Sequence, residues 1–249
     1  MNRRAFLDAA GVLAAGAVGG LWSPRSAGAQ GDALERPRVC LTVDDPIVAG
    51  TWPWPEVNRQ FLEVLDRHQL RAGLFVCGMR VEGPEGRRLV GEWDDAGHLI
   101  GSHSYSHLMY LRRTSYEAFA EDFLRNEPAV EPWQNRVRLF RYPFLKEGET
   151  PEKRDGFRAL LREHGYGVAH VTIDTSEWYV DERWTARRMA DPAADPQPYR
   201  AYLLAHLLER AGYYRNLMRV AIGRDVPHVL LVHHRELTAM SLDAILTTF

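Results

Sequence analysis

One α/β domain built on a mainly parallel sheet or barrel is the fold this sequence predicts. Three observations lead there. From residue 38 onward, short β-branched apolar runs alternate with stretches of helical spacing. Most of those runs end at acids, imidazoles or a guanidinium rather than at plain turn residues. Finally, 249 residues with 45% hydrophobic side chains and two cysteines call for a buried core instead of a disulfide framework. With 31 basic against 33 acidic residues, the chain carries no basic footprint for nucleic acid.

The elements follow in order. Arg3 and Arg4 precede Ala5-Phe6-Leu7, an Ala/Gly/Leu/Val run continues to about Leu21, and Ala27-Gly28-Ala29 offers a small-residue cleavage pattern. A twin-arginine-like export signal is expected over residues 1–29, with the domain at 30–249. The apolar run is too short and glycine-rich to span a bilayer well, so no stable membrane span is expected after signal removal. The expected location is periplasmic or extracellular, in a bacterium. Cleavage would take away three arginines and one aspartate, turning a net charge of −2 into −4.

Residues 38–43 read as a strand ended by Asp44-Asp45, and 54–68 as a helix with Val57, Phe61, Leu62 and Leu65 on one stripe. A short strand at 74–77 lies between Gly73 and Gly78. The helix at 84–96 has Pro84 near its start and Gly97 just past its end. A strand at 98–101 runs into His103-Ser104-Tyr105-Ser106-His107, a helix covers 115–126, and a strand at 137–141 leads to Arg141-Tyr142-Pro143-Phe144. Thr150 caps a helix at 151–164 that stops at Gly165. The β-branched strand 166–173 delivers Asp174, with Glu177-Trp178 just beyond. After a loop at 191–198 come a long helix at 198–220, a strand at 229–232 ending in His233-His234, and a helix opening at 241. Cys40 and Cys77 fall inside strands and are expected as buried thiols rather than a disulfide.

In α/β barrels the C-terminal strand ends gather around one pocket. Five such ends here carry chemistry. Asp44-Asp45 before Pro46 alone could be a turn, and an isolated pair of histidines spaced i, i+4 is ordinary surface. An acid beside His103 and His107 changes that: two imidazoles and a carboxylate can hold a metal and leave positions open for water and substrate.

Together these segments resemble the five motifs of the polysaccharide deacetylase family, the NodB-like carbohydrate esterase family four. They are TVDDP at 42–46, HSYSH at 103–107, RYPF at 141–144, DTSEW at 174–178 and LLVHH at 230–234, in family order over about residues 38–240. The resemblance implies a distorted (β/α) barrel that removes N-acetyl groups from an acetylated polysaccharide or oligosaccharide. It implies that Asp45, His103 and His107 hold a divalent metal, zinc being favoured and cobalt, nickel, manganese or iron acceptable to the same donors. Asp44 would be the general base, Arg141 its partner, and the Phe144 N–H an oxyanion donor. His233 would be the general acid, Asp174 would tune it, and Trp178 would pack beside them. Motif alignment favours His233 over His234 and leaves both in play.

Pro46, Phe144, Glu177 and His234 depart from the family pattern and put the substrate in question. The resemblance also implies a closing strand after the fifth motif, so a chain shortened at its C-terminus and a barrel with an exposed edge are expected. Two alternatives stand: hydrolysis of a non-sugar C–N bond or an O-acetyl ester, and a non-catalytic, metal-holding glycan-binding relative. Neither the polymer nor the oligomeric state is written in the sequence.

Overall fold

In the computed structural model, residues 38–48 and 53–249 are described; the expected export signal at 1–29 lies outside them. Strand alternation sets the layers. β1 (Val39–Asp44) sends Leu41 and Val43 into the apolar core, while Thr42 and Asp44 point the other way, where both meet Arg141. β2 (Gly73–Val76), β3 (Leu99–Ser102), β4 (Arg136–Phe140), β5 (Gly167–Val168) and β6 (His228–His233) complete a parallel sheet in the order β5-β4-β3-β2-β1-β6.

Helices supply the crossovers that parallel pairing demands. They are α1 (Trp54–Arg67), α2 (Gly83–Asp95), α3 (Tyr116–Arg125), the single turn α4 (Glu127–Val130), α5 (Pro151–Glu163), α6 (Glu177–Ala190), α7 (Gln197–Ile222) and α8 (Glu236–Thr248). Ser115 and Thr150 cap α3 and α5 by accepting from the N–H groups of Ala118 and Lys153. Phe61, Leu65, Trp93 and Leu242 of the helices pack on Leu41, Val43, Leu74 and Val232 of the sheet. A second, aromatic cluster of Phe119, Phe123, Phe140, Tyr142 and Phe157 lies under α3 and α5. On the opposite face, Phe75 packs with Leu139 and Ala169, and the Arg141 guanidinium lies 4.5 Å from the Phe75 ring centroid. Gly101 admits that ring, because a Cβ there would stand 2.6 Å from it.

The sheet curls until its two edges meet through one segment. β5 pairs with β4, and five residues on, Ile173 bridges Leu230 of β6. The Thr172 and Ile173 N–H groups both donate to the Val229 carbonyl, at 3.2 and 3.0 Å. β5 is only two residues long, a correction to the strand expected at 166–173, and the outer edge of β6 is bridged at one point by Ile173. Both have one cause: the chain from 167 to 173 must cross from β4 to β6 and cannot stay in either ladder.

Two helices were not expected, α4 and α6. α6 turns Glu177, Val180, Asp181 and Trp184 inward, and two acids on the buried side erase the apolar stripe. α8 begins at Glu236, five residues before the expected start at 241. α7 rests on the core through Leu203 and Leu207. Cys40 and Cys77 are both free thiols; Cys77 is fully buried as expected, whereas Cys40, near the start of β1, is only half-buried. Among the described residues no helix is long and apolar enough to cross a membrane.

Candidate active site

Strand register brings the chemistry together. Asp44 pairs with His233 across β1 and β6, Val76 with Ser102 across β2 and β3, and Ser102 with Phe140 across β3 and β4. The residues just past those positions, Asp45, His103 and Arg141, therefore emerge at one edge. They surround a cavity of about 460 Å³ whose lining includes Asp44, Asp45, His103, His107 and His233, with Phe144, Asp174 and Trp178 at its walls. Arg141 is fully buried beneath it and reaches the site through Asp44. All nine residues singled out from sequence thus meet at one place.

Asp45, His103 and His107 bring one donor atom each to within 4.8 Å of one another. His107 Nε2 is 3.4 Å from Asp45 Oδ2, and His103 Nε2 is 3.7 Å from Asp45 Oδ1. Ligands bound tetrahedrally at about 2.0–2.1 Å stand about 3.4 Å apart, so these separations suit one ion. Oδ1 of Asp45 is buried with no hydrogen-bond partner, while Oδ2 is held by Arg80 at 2.8 Å. The Arg141 carbonyl can only accept, so His103 Nδ1–H donates to it (2.8 Å) and the Nε2 lone pair faces the carboxylates. The donor set fits a divalent cation. Burial pushes the Asp45 carboxyl up, but His103, His107 and Arg80 together hold it down at about 2. Burial lowers both imidazoles, His103 to about 3, keeping them in the neutral, metal-binding form.

The i, i+4 spacing of the two histidines is not the spacing of a helix here. Residues 103–107 are irregular, with Ser104 at φ 62° and His107 at φ 60°. The loop is fastened from below. The Ser106 N–H and hydroxyl both donate to Asp122, and the Asn126 amide donates to the Val76 carbonyl and the Ser102 hydroxyl. Asp45, Phe144, Leu145 and Ser176 also have φ between 51° and 61°, so the left-handed non-glycine residues of the described chain, Gln69 apart, gather around this cavity. Backbone held in sparsely populated regions is a mark of functional sites.

Asp44 receives Arg141 Nη1 at 3.3 and 3.4 Å. The guanidinium is locked by donating from Nε to the Ala169 carbonyl (2.8 Å) and from Nη2 to Thr42 Oγ1 (3.1 Å). Burial raises the Asp44 carboxyl to about 6, with Arg141 and His233 opposing. Near neutrality such a group can still take up a proton.

The acid beside His233 is Glu177, not Asp174 as expected. Both Glu177 carboxylate oxygens lie 3.1 Å from His233 Nδ1, and Oε1 accepts the His233 N–H at 2.5 Å. Asp174 lines the cavity and accepts the Ser176 N–H. Glu177 starts α6 and is carried over His233 by the first helical turn, whereas Asp174 lies before the turn. Burial lowers the His233 imidazole, but Glu177 more than reverses this and the group rises to about 9. His234 points away into the core, where its Nε2–H donates to Asn58 Oδ1 (3.2 Å) and its ring stacks on Phe61. Trp178 borders the cavity and meets Tyr179 edge-on, and Phe144 sets its ring edge-on to His107 with centroids 4.6 Å apart.

Sequence reading missed Arg80. It follows β2, the one strand end left without polar chemistry in that reading, and the same strand-end rule points to it.

Comparison with known proteins gives four matches. A family model described as polysaccharide deacetylase matches residues 31–169. A peptidoglycan-N-acetylglucosamine deacetylase of Listeria monocytogenes is 26% identical over 141 residues, which is 57% of this chain and 27% of that protein. This chain thus spans about a quarter of that relative's length. Among solved structures, a chitin deacetylase from Colletotrichum lindemuthianum superposes with a TM-score of 0.59 at 22% identity, covering 86% of this chain and 81% of that one. A family-four carbohydrate esterase pseudoenzyme from Bacillus anthracis gives 0.57 at 21% identity, covering 86% and 60%. These two likenesses show a shared fold.

Proposed function

The chain belongs to the polysaccharide deacetylase family, and from that premise we propose that it is a metal-dependent hydrolase removing N-acetyl groups from an acetylated glycan. The observation that carries this reading is the single cavity holding an orphaned Asp45 oxygen and two neutral imidazoles beside the acid–base pair Asp44 and His233. Because a pseudoenzyme shares the fold, the fold alone does not argue for turnover; the completeness of this set does.

Asp45, His103 and His107 hold the divalent cation, zinc by preference of the donor set. When bound, the ion supplies positive charge that polarises the acetyl carbonyl and makes water more acidic. Asp44 takes the proton from the attacking water on its carboxylate, with Arg141 orienting it. Glu177 occupies His233 Nδ1, so Nε2 is the atom that gives a proton to the leaving nitrogen. The Phe144 N–H, on its left-handed turn, donates to the developing oxyanion. Asp174 and Trp178 line the wall against which the sugar sits. The twin-arginine-like pattern of residues 1–29 supports a reaction outside the cytoplasm, with 30–249 taken as the catalytic domain.

Acetate release from N-acetylglucosamine oligomers, measured with metal content, tests the reading. Metal-dependent acetate release is expected. Turnover of a small amide or an O-acetyl ester, with no acetate from any N-acetylated glycan, would move the substrate off sugar amides. Glycan binding with no turnover of any substrate would make the chain a non-catalytic relative.

A further inference from the structure

A second cavity of about 730 Å³ opens between α6 and α7 and shares Ser176 and Trp178 with the catalytic one. Its chemistry is different. Trp178, Tyr179, Tyr199 and Tyr202 form its walls, no carboxylate lines it, and Arg183 is its one formal charge. The catalytic cavity beside it is lined by Asp44, Asp45, Asp174 and Glu182 together with Arg80, Lys146 and Arg235.

Tyr199 packs against the core beside Trp184, but the other three rings on this cleft are left at the surface. α6 buries Glu177, Val180, Asp181 and Trp184, which leaves Trp178 and Tyr179 38% and 52% exposed. α7 buries Leu203 and Leu207, which leaves Tyr202 61% exposed. A contiguous exposed aromatic patch marks a binding surface, unlike scattered exposed rings. The patch is also held in place. The His206 ring lies parallel to Tyr202 with centroids 5.9 Å apart, and its Nε2–H donates to the Thr175 carbonyl at 2.8 Å. Thr175 belongs to the loop between Asp174 and Glu177, so this hydrogen bond ties the cleft to the catalytic wall. The Arg183 guanidinium lies 5.3 Å from the Tyr179 ring centroid, offering N–H donors at the cleft's edge.

We propose that this cleft holds further sugar units of the acetylated polysaccharide whose reacting unit occupies the catalytic cavity; the proposal rests on the deacetylase reading. A pyranose presents an apolar C–H face, which stacks on aromatic rings, and a rim of hydroxyls, which accept from Arg183 and exchange hydrogen bonds with Ser176. A neutral chain suits walls with no carboxylate and a single cation. Trp178, common to both cavities, lies where the chain passes from one to the other.

The test uses the Asp44→Asn protein, so that the probe is bound but not consumed, with dimeric and hexameric N-acetylglucosamine as probes in calorimetry. The hexamer is expected to bind about tenfold more tightly than the dimer, and Tyr202→Ala or Tyr179→Ala added to Asp44→Asn should erase that advantage. Both rings are largely exposed, and a melting curve checks that each variant is folded. An undiminished hexamer advantage in the double variants overturns the proposal, as does the absence of any length advantage in Asp44→Asn itself. A change of oligomeric state in Tyr202→Ala, read by sedimentation, would assign the cleft to a second copy of the chain. Acetate release by the unsubstituted protein from the dimer is scored separately, so failure of the deacetylase reading is distinguishable from failure of the cleft.

Discussion

Asp44-Asp45 at the end of β1 and His233-His234 at the end of β6 are adjacent pairs on neighbouring strands, yet each pair is split. All four are largely buried, and burial alone would raise both acids and lower both imidazoles. Asp44 follows burial, to about 6, and His234 follows it, to about 3. Asp45 is reversed to about 2 by His103, His107 and Arg80, and His233 is reversed to about 9 by Glu177. Partners, rather than depth, thus assign the roles. Asp45 and the neutral imidazoles are prepared for a cation, Asp44 and His233 for proton transfer, and His234 for packing. Environments that push like groups apart are how acid and base roles are separated in one site.

The most damaging way to break this arrangement is to take away an imidazole from Asp45. His107→Ala is expected to lower metal affinity by more than about 100-fold, beyond what loss of a supporting partner typically does, and to abolish acetate release. Metal analysis of the purified variant reads the first effect. Retention of a full equivalent of metal would remove His107 from the ligand set.

Next in size is Asp44→Asn, which keeps the shape and removes the base. Turnover should fall by about 10²- to 10⁴-fold while metal content stays at the level of the parent protein. Metal loss in step with activity would instead make Asp44 a ligand, a reading open to it because His103 Nε2 lies 3.7 Å from its carboxylate as well.

Much of this was legible in the sequence, for a specific reason. The site is built at strand ends, and strand ends are where a β-branched run stops; Asp44, His103, Arg141 and His233 could be placed by that rule alone. What could not be read is direction beyond the strand. Whether Asp174 or Glu177 reaches His233 depends on the first turn of α6, a helix whose buried acids hide its periodicity. Nor does an i, i+4 spacing reveal that His103 and His107 converge through a loop with two left-handed residues. The aromatic cleft was equally hidden, because Tyr179 and Tyr202 come from different helices and meet only in three dimensions.

A smaller effect is expected from Glu177→Gln, which leaves His233 buried without its acid. The folded-state value of His233, about 9, lies above the ordinary histidine value of about 6.5. The protonated acid therefore persists to about pH 9 in the parent protein, and Asp44 and Asp45 also favour it. In the variant the alkaline limb of the activity profile should move down by two units or more, with at least a tenfold loss at pH 8. Stability carries the same sign. The contribution from His233 is fully present below about pH 6.5 and is lost as pH rises through 9, so the parent should lose melting temperature over that window and the variant should lose less. An unmoved alkaline limb would separate His233 from the acid role.

The smallest effect, and the sharpest use of the comparison, is His234→Phe. Its ring stacks on Phe61 with an interplanar angle of 16°, and its Nδ1 is buried with no hydrogen-bond partner. A phenyl ring keeps the stacking and removes the orphaned nitrogen. The lost partner, Asn58 Oδ1, still accepts the Trp93 indole N–H. The exchange adds one ring atom to a fully buried site, so it should cost no more than about 1–3 kcal/mol, read by denaturant unfolding, and leave the alkaline limb in place. His233→Phe, one residue away, should abolish acetate release while the protein stays folded. The two neighbours at the end of β6 face opposite sides of the sheet, so the contrast between the variants measures which face holds the proton. If His234→Phe rather than His233→Phe removes the alkaline limb, the acid belongs on the core side of the sheet.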